Sequence, residues 1–230
     1  MKRFYTRVEA QGGEEGFEIL LDGRPVRTPL KAALCLPTQP LAAAIVHEWE
    51  AQGDKISPRS MPLTGLANAA IDRVGPERDA FVRALSAYGE TDLLCYRADS
   101  PATLVARQAE YWDPLLGWAR SRFDIDFEVV QGIVHQEQPA NTIERLRKAV
   151  EARDAFALSA LSQLTTISGS LVIALALAED AVDLDTAWAA ATVDEAWQIE
   201  QWGEDHEAVQ MLDRRRRDFD KASRFLTLLA

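Results

Sequence analysis

The sequence predicts an α+β protein: a small amino-terminal antiparallel β domain over residues 1–37, then a larger all-α helical domain over residues 38–230. Three observations predict it. Phe4, Thr6 and Val8 alternate with polar neighbours at the period of a half-buried strand. FEILLDGRPVRT places two strand-like runs about Asp22-Gly23, a two-residue hairpin signal. After Thr38 the apolar spacing changes to that of helices.

The elements follow in order. Gly12-Gly13 marks a turn between the first strand and the hairpin. Pro25 lacks a backbone donor, which puts the returning strand at a sheet edge. AALCLP is a further short strand closed by Pro37. LAAAIVHEWEAQG is a helix with Leu41, Ile45 and Trp49 on one stripe and Gly53 as its stop. Ser60 caps a helix with Pro62 in its first turn, running through Leu66 to Ile71. Ala80 to Tyr88 is helical, and LVARQAEYWDPLLGWARSRF is a helix with a kink or break near Trp112 because Pro114 lies inside it. FEVVQGIV fits a short strand or an extended link. Asn141 to Arg153, the uncharged run Ala155 to Ala178, a Trp-rich helix and a last helix ending near Leu229 complete the chain. The uncharged run is long enough to span a bilayer, but its middle carries Ser, Thr and Gln and its flanks lack positive charge. It reads as a helix buried in a soluble bundle. Trp49 and Trp112 sit on apolar stripes and read as structural.

Composition narrows the function classes. With 25 Lys and Arg against 36 Asp and Glu, the net charge is -11, so no basic face is offered to a phosphate backbone and nucleic acid is not an expected partner. Cys35 and Cys95 lie in apolar settings without a CxxC partner and read as core residues of a reducing compartment. His47, His135 and His206 have no ligand spacing, so neither metal nor cofactor is expected. Phosphate cradles and a nucleophile elbow are missing from the sequence. Glu90 and Asp92 in GETDLL could in principle do acid–base work, but their apolar neighbours favour capping carboxylates. The amino terminus MKRFYTRVEA has neither an apolar signal core nor an Arg- and Ser-rich presequence. A bacterial cytoplasmic chain, or a mature chain of the mitochondrial matrix, is expected.

Charge is unevenly spread. From Glu179 to Gln210 there are ten carboxylates, three indoles and no Lys or Arg, and then Arg214 to Arg217 form an unbroken basic run. Antiparallel helices with complementary solvated faces would explain the basic run. The acidic run with its indoles is the better candidate for a protein contact, because Trp is enriched there. DEAWQIEQWG, Asp194 to Gly203, is its centre. At 100° per residue, Trp188, Thr192, Glu195, Ile199 and Trp202 share one stripe. A carboxylate in an apolar stripe is costly to desolvate unless paired. Either an internal cation meets Glu195, or a partner does, or Glu195 sits at the stripe's edge and reaches water.

Several blocks together resemble a known family. LDGRPVRTP, EW.AQ with the downstream I.P..MPLTGLANAAID, DLLCYRA, WDPLL.W, SGSLV.ALA and DE.WQ.E.WG occur in this order between Leu21 and Gly203. The set resembles the ATP synthase assembly chaperones of the alpha-subunit type, called ATP synthase assembly factor 2 in organelles. The resemblance implies an ATP-independent chaperone with a small β domain and a helical domain. It implies that the client is the unassembled alpha subunit of the catalytic head, shielded on the surface that later meets the beta subunit. The family's sensitive acidic position maps to Glu195, with Asp194 as the neighbouring choice. Glu195 and Trp202 are the leading partner-binding candidates, with Trp197 and Glu200 beside them. The alternative is a small-molecule-binding protein or enzyme with a pocket in the helical domain; a deep polar pocket near Glu195 would favour it.

Overall fold

The computed structural model describes residues 1–203 and 205–230. The chain divides into two compact units, Met1–Arg78 with Asp154–Ala160 and Arg224–Ala230, and Asp79–Arg153 with Leu161–Ser223. The secondary structure changes from mainly strand to mainly helix after Leu36, with one short parallel strand pair later in the chain, whereas the first compact unit continues beyond that point to Arg78.

In the first unit, β1 (Val8–Gly13) runs antiparallel along one edge of β2 (Gly16–Leu21), from Val8 opposite Leu21 to Gly13 opposite Gly16. The other edge of β2 is shared between β3 (Arg24–Pro25) and β4 (Cys35–Leu36). The Asp22-Gly23 turn is as expected, with φ of 48° and 77°, the primed geometry that suits strand twist. Two local expectations fail. The β1–β2 turn is Glu14-Glu15, and Gly12 and Gly13 belong to the strand. Tyr5, not Phe4, faces the core; Phe4 is 63% exposed. Residues 3–7 precede β1 and are not in a strand, so period-two alternation does not govern them, while Val8 at the start of β1 is buried as expected.

α1 (Gln39–Glu50) starts at Thr38, whose hydroxyl accepts from the Leu41 amide. It lays Leu41, Ala42 and Ile45 on the sheet, over a core that includes Ile19, Leu34 and Leu36. Trp49 packs at the edge of this core, its ring 5.7 Å from Tyr5. α2 (Pro62–Ala69) continues into one wide π turn, Ala70–Val74. Ser60 is not its cap. The Glu48 carboxylate on α1 takes the orphan amides of Leu63 and Thr64 and the Thr64 hydroxyl, each at 2.8 Å.

Further along are α3 (Arg78–Ser86), β5 (Tyr96–Arg97), α4 (Ala102–Phe123), β6 (Val130–Gln131), α5 (Ala140–Glu151), α6 (Ala155–Ser168), α7 (Leu171–Ala178), α8 (Leu184–Ala191), α9 (Val193–Trp202) and α10 (His206–Thr227). In the second unit α4 is the organising helix, contacting α5, α7, α8 and α9. It runs unbroken through Pro114. Trp112 is buried and donates its indole N–H to the Ala190 carbonyl at 2.7 Å. FEVVQGIV resolves as a two-residue parallel pairing of β6 with β5, followed by Ile133 and Val134 in the open.

The uncharged run is two helices rather than one. Gly169, at φ +72°, ends α6, and the Ser170 hydroxyl caps α7 by accepting from Ile173 N. Leu171 to Leu177 are all buried. Among the described residues no helix is long and apolar enough to cross a membrane.

Candidate functional site

α9 carries every sequence-predicted partner residue, but the apolar stripe through it is interrupted. Thr192 leaves the helical region (φ -128°, ψ 23°) and separates α8 from α9. Its hydroxyl donates to the Trp188 carbonyl at 2.8 Å, one of the local bonds by which Thr competes with a helix. Trp188 therefore belongs to α8, where it packs on Phe219 with ring centroids 5.4 Å apart. Glu195 does not lie between two indoles of one helix.

Glu195 meets an internal cation. One carboxylate oxygen accepts from Arg215 Nη1 at 2.9 Å, and Arg215 also donates to the Ile167 carbonyl at 3.0 Å. The Glu195 and Arg215 side chains remain 36% and 33% exposed, so the pair is a surface one. Such a pair contributes about 0–1 kcal/mol. The second Glu195 oxygen has no hydrogen bond among the described residues. Beside the pair is a cleft of about 220 Å³ between α9, Arg215 and the α6–α7 connection. Asp194 points elsewhere: it accepts from Gln108 Nε2 at 2.7 Å, and buried Gln108 in turn takes the Ala98 amide at 2.8 Å.

Glu200 forms a two-pronged pair with Arg107 of α4, both contacts at 2.8 Å. That hydrogen-bonded guanidinium holds the Glu200 carboxyl below its ordinary range. Trp197 is half-buried and meets Trp202 edge to face at 5.7 Å. Trp202 ends the helix 75% exposed, and Gly203 follows at φ +85°. An indole this open is unusual, because burying it would remove a large apolar area from water.

The rest of the acidic run is largely answered from within. Arg122 and Arg153 share Glu179, and Arg216 takes Asp185 and Asp220. Arg215 and Arg216 thus give the basic run a structural role, as complementary helix faces would. Glu204 of the acidic run lies outside the described residues. Sequence reasoning missed Arg107, a lone cation on α4 without any motif, and it did not single out Arg215 within its run.

The comparisons with known proteins agree with the blocks. Residues 2–120 match the family model described as ATP12 chaperone protein. The crystal structure of Atp12 from Paracoccus denitrificans superposes with a TM-score of 0.96 at 42% identity, over 100% of this chain and 98% of that one. A variant of that protein with one Asp replaced by Lys gives the same TM-score at 41% identity and the same coverage. The mitochondrial protein atp12 of Schizosaccharomyces pombe is 24% identical over 216 residues, covering 88% of this chain and 74% of its own. A family model spanning half the chain and structural agreement over all of it lead to one conclusion: the chain belongs to the ATP12 chaperone family, the ATP synthase assembly chaperones that its sequence blocks resemble.

Proposed function

We propose that this chain binds the unassembled alpha subunit of the ATP synthase catalytic head and shields the surface that later meets the beta subunit. α9 is the contact, with Glu195 and Trp202 as its centre and Trp197 and Glu200 at its margin. The observation that carries this reading is the pairing, on one helix, of an indole left 75% exposed with a carboxylate that keeps one oxygen unbonded. At seven residues apart, Glu195 and Trp202 share a face. Asp194, committed to Gln108, is the weaker choice for the sensitive acid.

The contact is a binding surface and not a catalytic centre under this reading. A cleft of about 220 Å³ beside Glu195 is smaller than the roughly 300–1,000 Å³ of small-molecule sites, which weighs against a ligand site at Glu195 itself. The place of action is the bacterial cytoplasm, or the mitochondrial matrix for an organellar chain, where newly made subunits meet.

The test compares capture of newly made alpha subunit with thermal stability for the same variants. Glu195→Lys puts a cation beside Arg215 and repels any cation that the client offers, so capture is expected to be lost. Glu195→Gln keeps the shape and should weaken capture less. Because both side chains of the Glu195–Arg215 pair keep about a third of their surface in water, 36% and 33%, both variants should melt within a few degrees of wild type. Loss of folding together with capture would return Glu195 to a structural role. Unchanged capture by Glu195→Lys would remove α9 from the contact.

A further inference from the structure

A second groove, away from Glu195, lies between the middle of α4 and the turn joining α7 to α8. Its volume is about 700 Å³. Its floor is aromatic and apolar, with Tyr111, Pro114 and Trp118 along α4. Glu110, Asp180 and Asp183 stand around it, and no Lys or Arg is among the described residues that line it.

These carboxylates differ in what they are free to do. Asp183 is committed to capping α8: it accepts from the Asp185 and Thr186 amides and from the Thr186 hydroxyl. Those donors hold its carboxyl below the ordinary range. The Glu110 and Asp180 side chains are exposed and make no hydrogen bond or ion pair among the described residues, although Glu110 lies in the field of Arg107. Arg107, one turn back along α4, gives its guanidinium to Glu200 instead. Pro114 adds an acceptor to the same wall. It has no N–H to donate to the carbonyl of Glu110 four residues earlier, so that oxygen lacks its helical partner. Among the described residues no three acidic, His or Cys side chains are close enough to hold a metal ion. The groove therefore offers acceptors and π faces to an organic cation.

We propose that this groove docks a Lys- or Arg-bearing segment of a protein partner. The aliphatic stem of the cationic side chain lies along Tyr111 and Trp118, and its charged head reaches Glu110 and Asp180. Aromatic faces attract such a cation at about 6 Å or less, and a long stem buries apolar surface while its head stays wet. The partner is the client of the chaperone reading, on which this proposal rests. Arg107, the anchor of Glu200, and Pro114 are seven residues apart on α4, about 10 Å along its axis, so a client covering α9 is within reach of the groove.

The test uses the full-length chain with Glu110→Gln and Asp180→Asn combined. Both side chains are exposed, and Asn tolerates the left-handed backbone at Asp180 (φ +52°), so the melting temperature should not move. The probe is a fluorescein-labelled peptide of alternating Leu and Lys, read by anisotropy and by the tryptophan emission of the protein. The double variant is expected to bind it about fivefold more weakly, and Glu14→Gln/Glu15→Gln, which removes as much charge from the exposed β1–β2 turn, to bind it as wild type does. Equal affinity of wild type and double variant, or no binding to wild type, overturns the groove. Capture of newly made alpha subunit is measured in parallel, with reduced capture expected from the double variant. If wild type fails to capture alpha subunit, the chaperone reading fails while the peptide still decides the groove. If wild type and double variant capture it equally, the groove is not a client contact and the proposal falls, with α9 unaffected.

Discussion

Asp92 is a carboxylate without exposed surface, and only N–H and O–H groups hold it. Its oxygens accept from Leu94 N and Val172 N, each at 3.1 Å. Burial pushes its pKa up to about 6, and the hydrogen bonds from Ser170, Val172, Leu94 and Leu171 offset only part of that. In the unfolded chain the same group titrates near its ordinary 3.8. Below about pH 4 the carboxyl is protonated in both states and its contribution to stability is fully present. As pH rises towards 6 the unfolded chain releases the proton first, and that contribution is lost. Asp92→Asn has no such titration. Wild type should therefore lose about 2–3 kcal/mol relative to Asp92→Asn between pH 4 and pH 7, measured by urea unfolding at each pH. A constant difference across that window would show that the carboxyl titrates normally. At the same scale, GETDLL is now explained: Asp92 caps the short turn Leu93–Cys95 and the start of α7, the capping role that its apolar neighbours predicted.

At the scale of elements, the blocks that carry the family resemblance are pairs that bond to one another. EW.AQ meets MPLTG through Glu48, and Gln52 of the same block takes the Ser57 amide at 2.7 Å. LDGRPVRTP meets ANAAID where the Thr28 hydroxyl donates to Asp72 at 2.6 Å. DLLCYRA meets SGSLV through Asp92. Periodicity shows where helices and strands lie, but it is blind to such cross-element bonds. This is why Ser60 was a plausible cap for α2 and Glu48 was not a candidate. It is also why the α6–α7 break was missed: a single Gly-Ser step interrupts an apolar run without changing its composition. Glu48 supplies the measurable consequence. It is 9% exposed, and its negative charge sits at the positive end of α2. Glu48→Ala leaves two buried amides without acceptors and should cost about 3 kcal/mol. Glu48→Gln keeps one acceptor and should cost about half of that. Equal, small losses in thermal or urea unfolding would mean that water replaces the cap.

At the scale of the whole molecule, the same bonds clarify what is left over. Polar groups in the blocks are mostly consumed internally, as with Asp194 on Gln108 and Asp22 on the Thr6 and Arg7 amides. The unbonded oxygen of Glu195, the open Trp202 and the carboxylates of Glu110 and Asp180 are not. The sequence singles out Glu195 and Trp202 as candidates, because a charge among apolar residues and an indole near a helix end are visible in one dimension, although the stripe that suggested Glu195 is broken at Thr192. It could not reach the Glu110–Asp180 groove, which joins residues 70 positions apart.

The chain's net charge of -11 acts on all of these together. Arg214 to Arg217 do little to offset the field locally, since Arg215 and Arg216 are already paired with acids. A client that presents cations to α9 and to the groove should therefore be steered towards this protein before contact. Raising salt from about 0.1 M to about 1 M shortens the screening length from about 10 Å to about 3 Å. Over that range the association rate with alpha subunit should fall by about tenfold, because steering acts over distance. The dissociation rate should change far less, because the Trp202 contact is apolar and salt does not screen it. Stopped-flow mixing at several salt concentrations, with wild type and the Glu110→Gln/Asp180→Asn double variant, separates the two rates. The double variant should show a shallower dependence of association on salt if the groove is part of the proposed contact, since it removes two of its charges. An association rate indifferent to salt would mean that the negative charge does not steer the client, and that apolar contact alone brings it to α9.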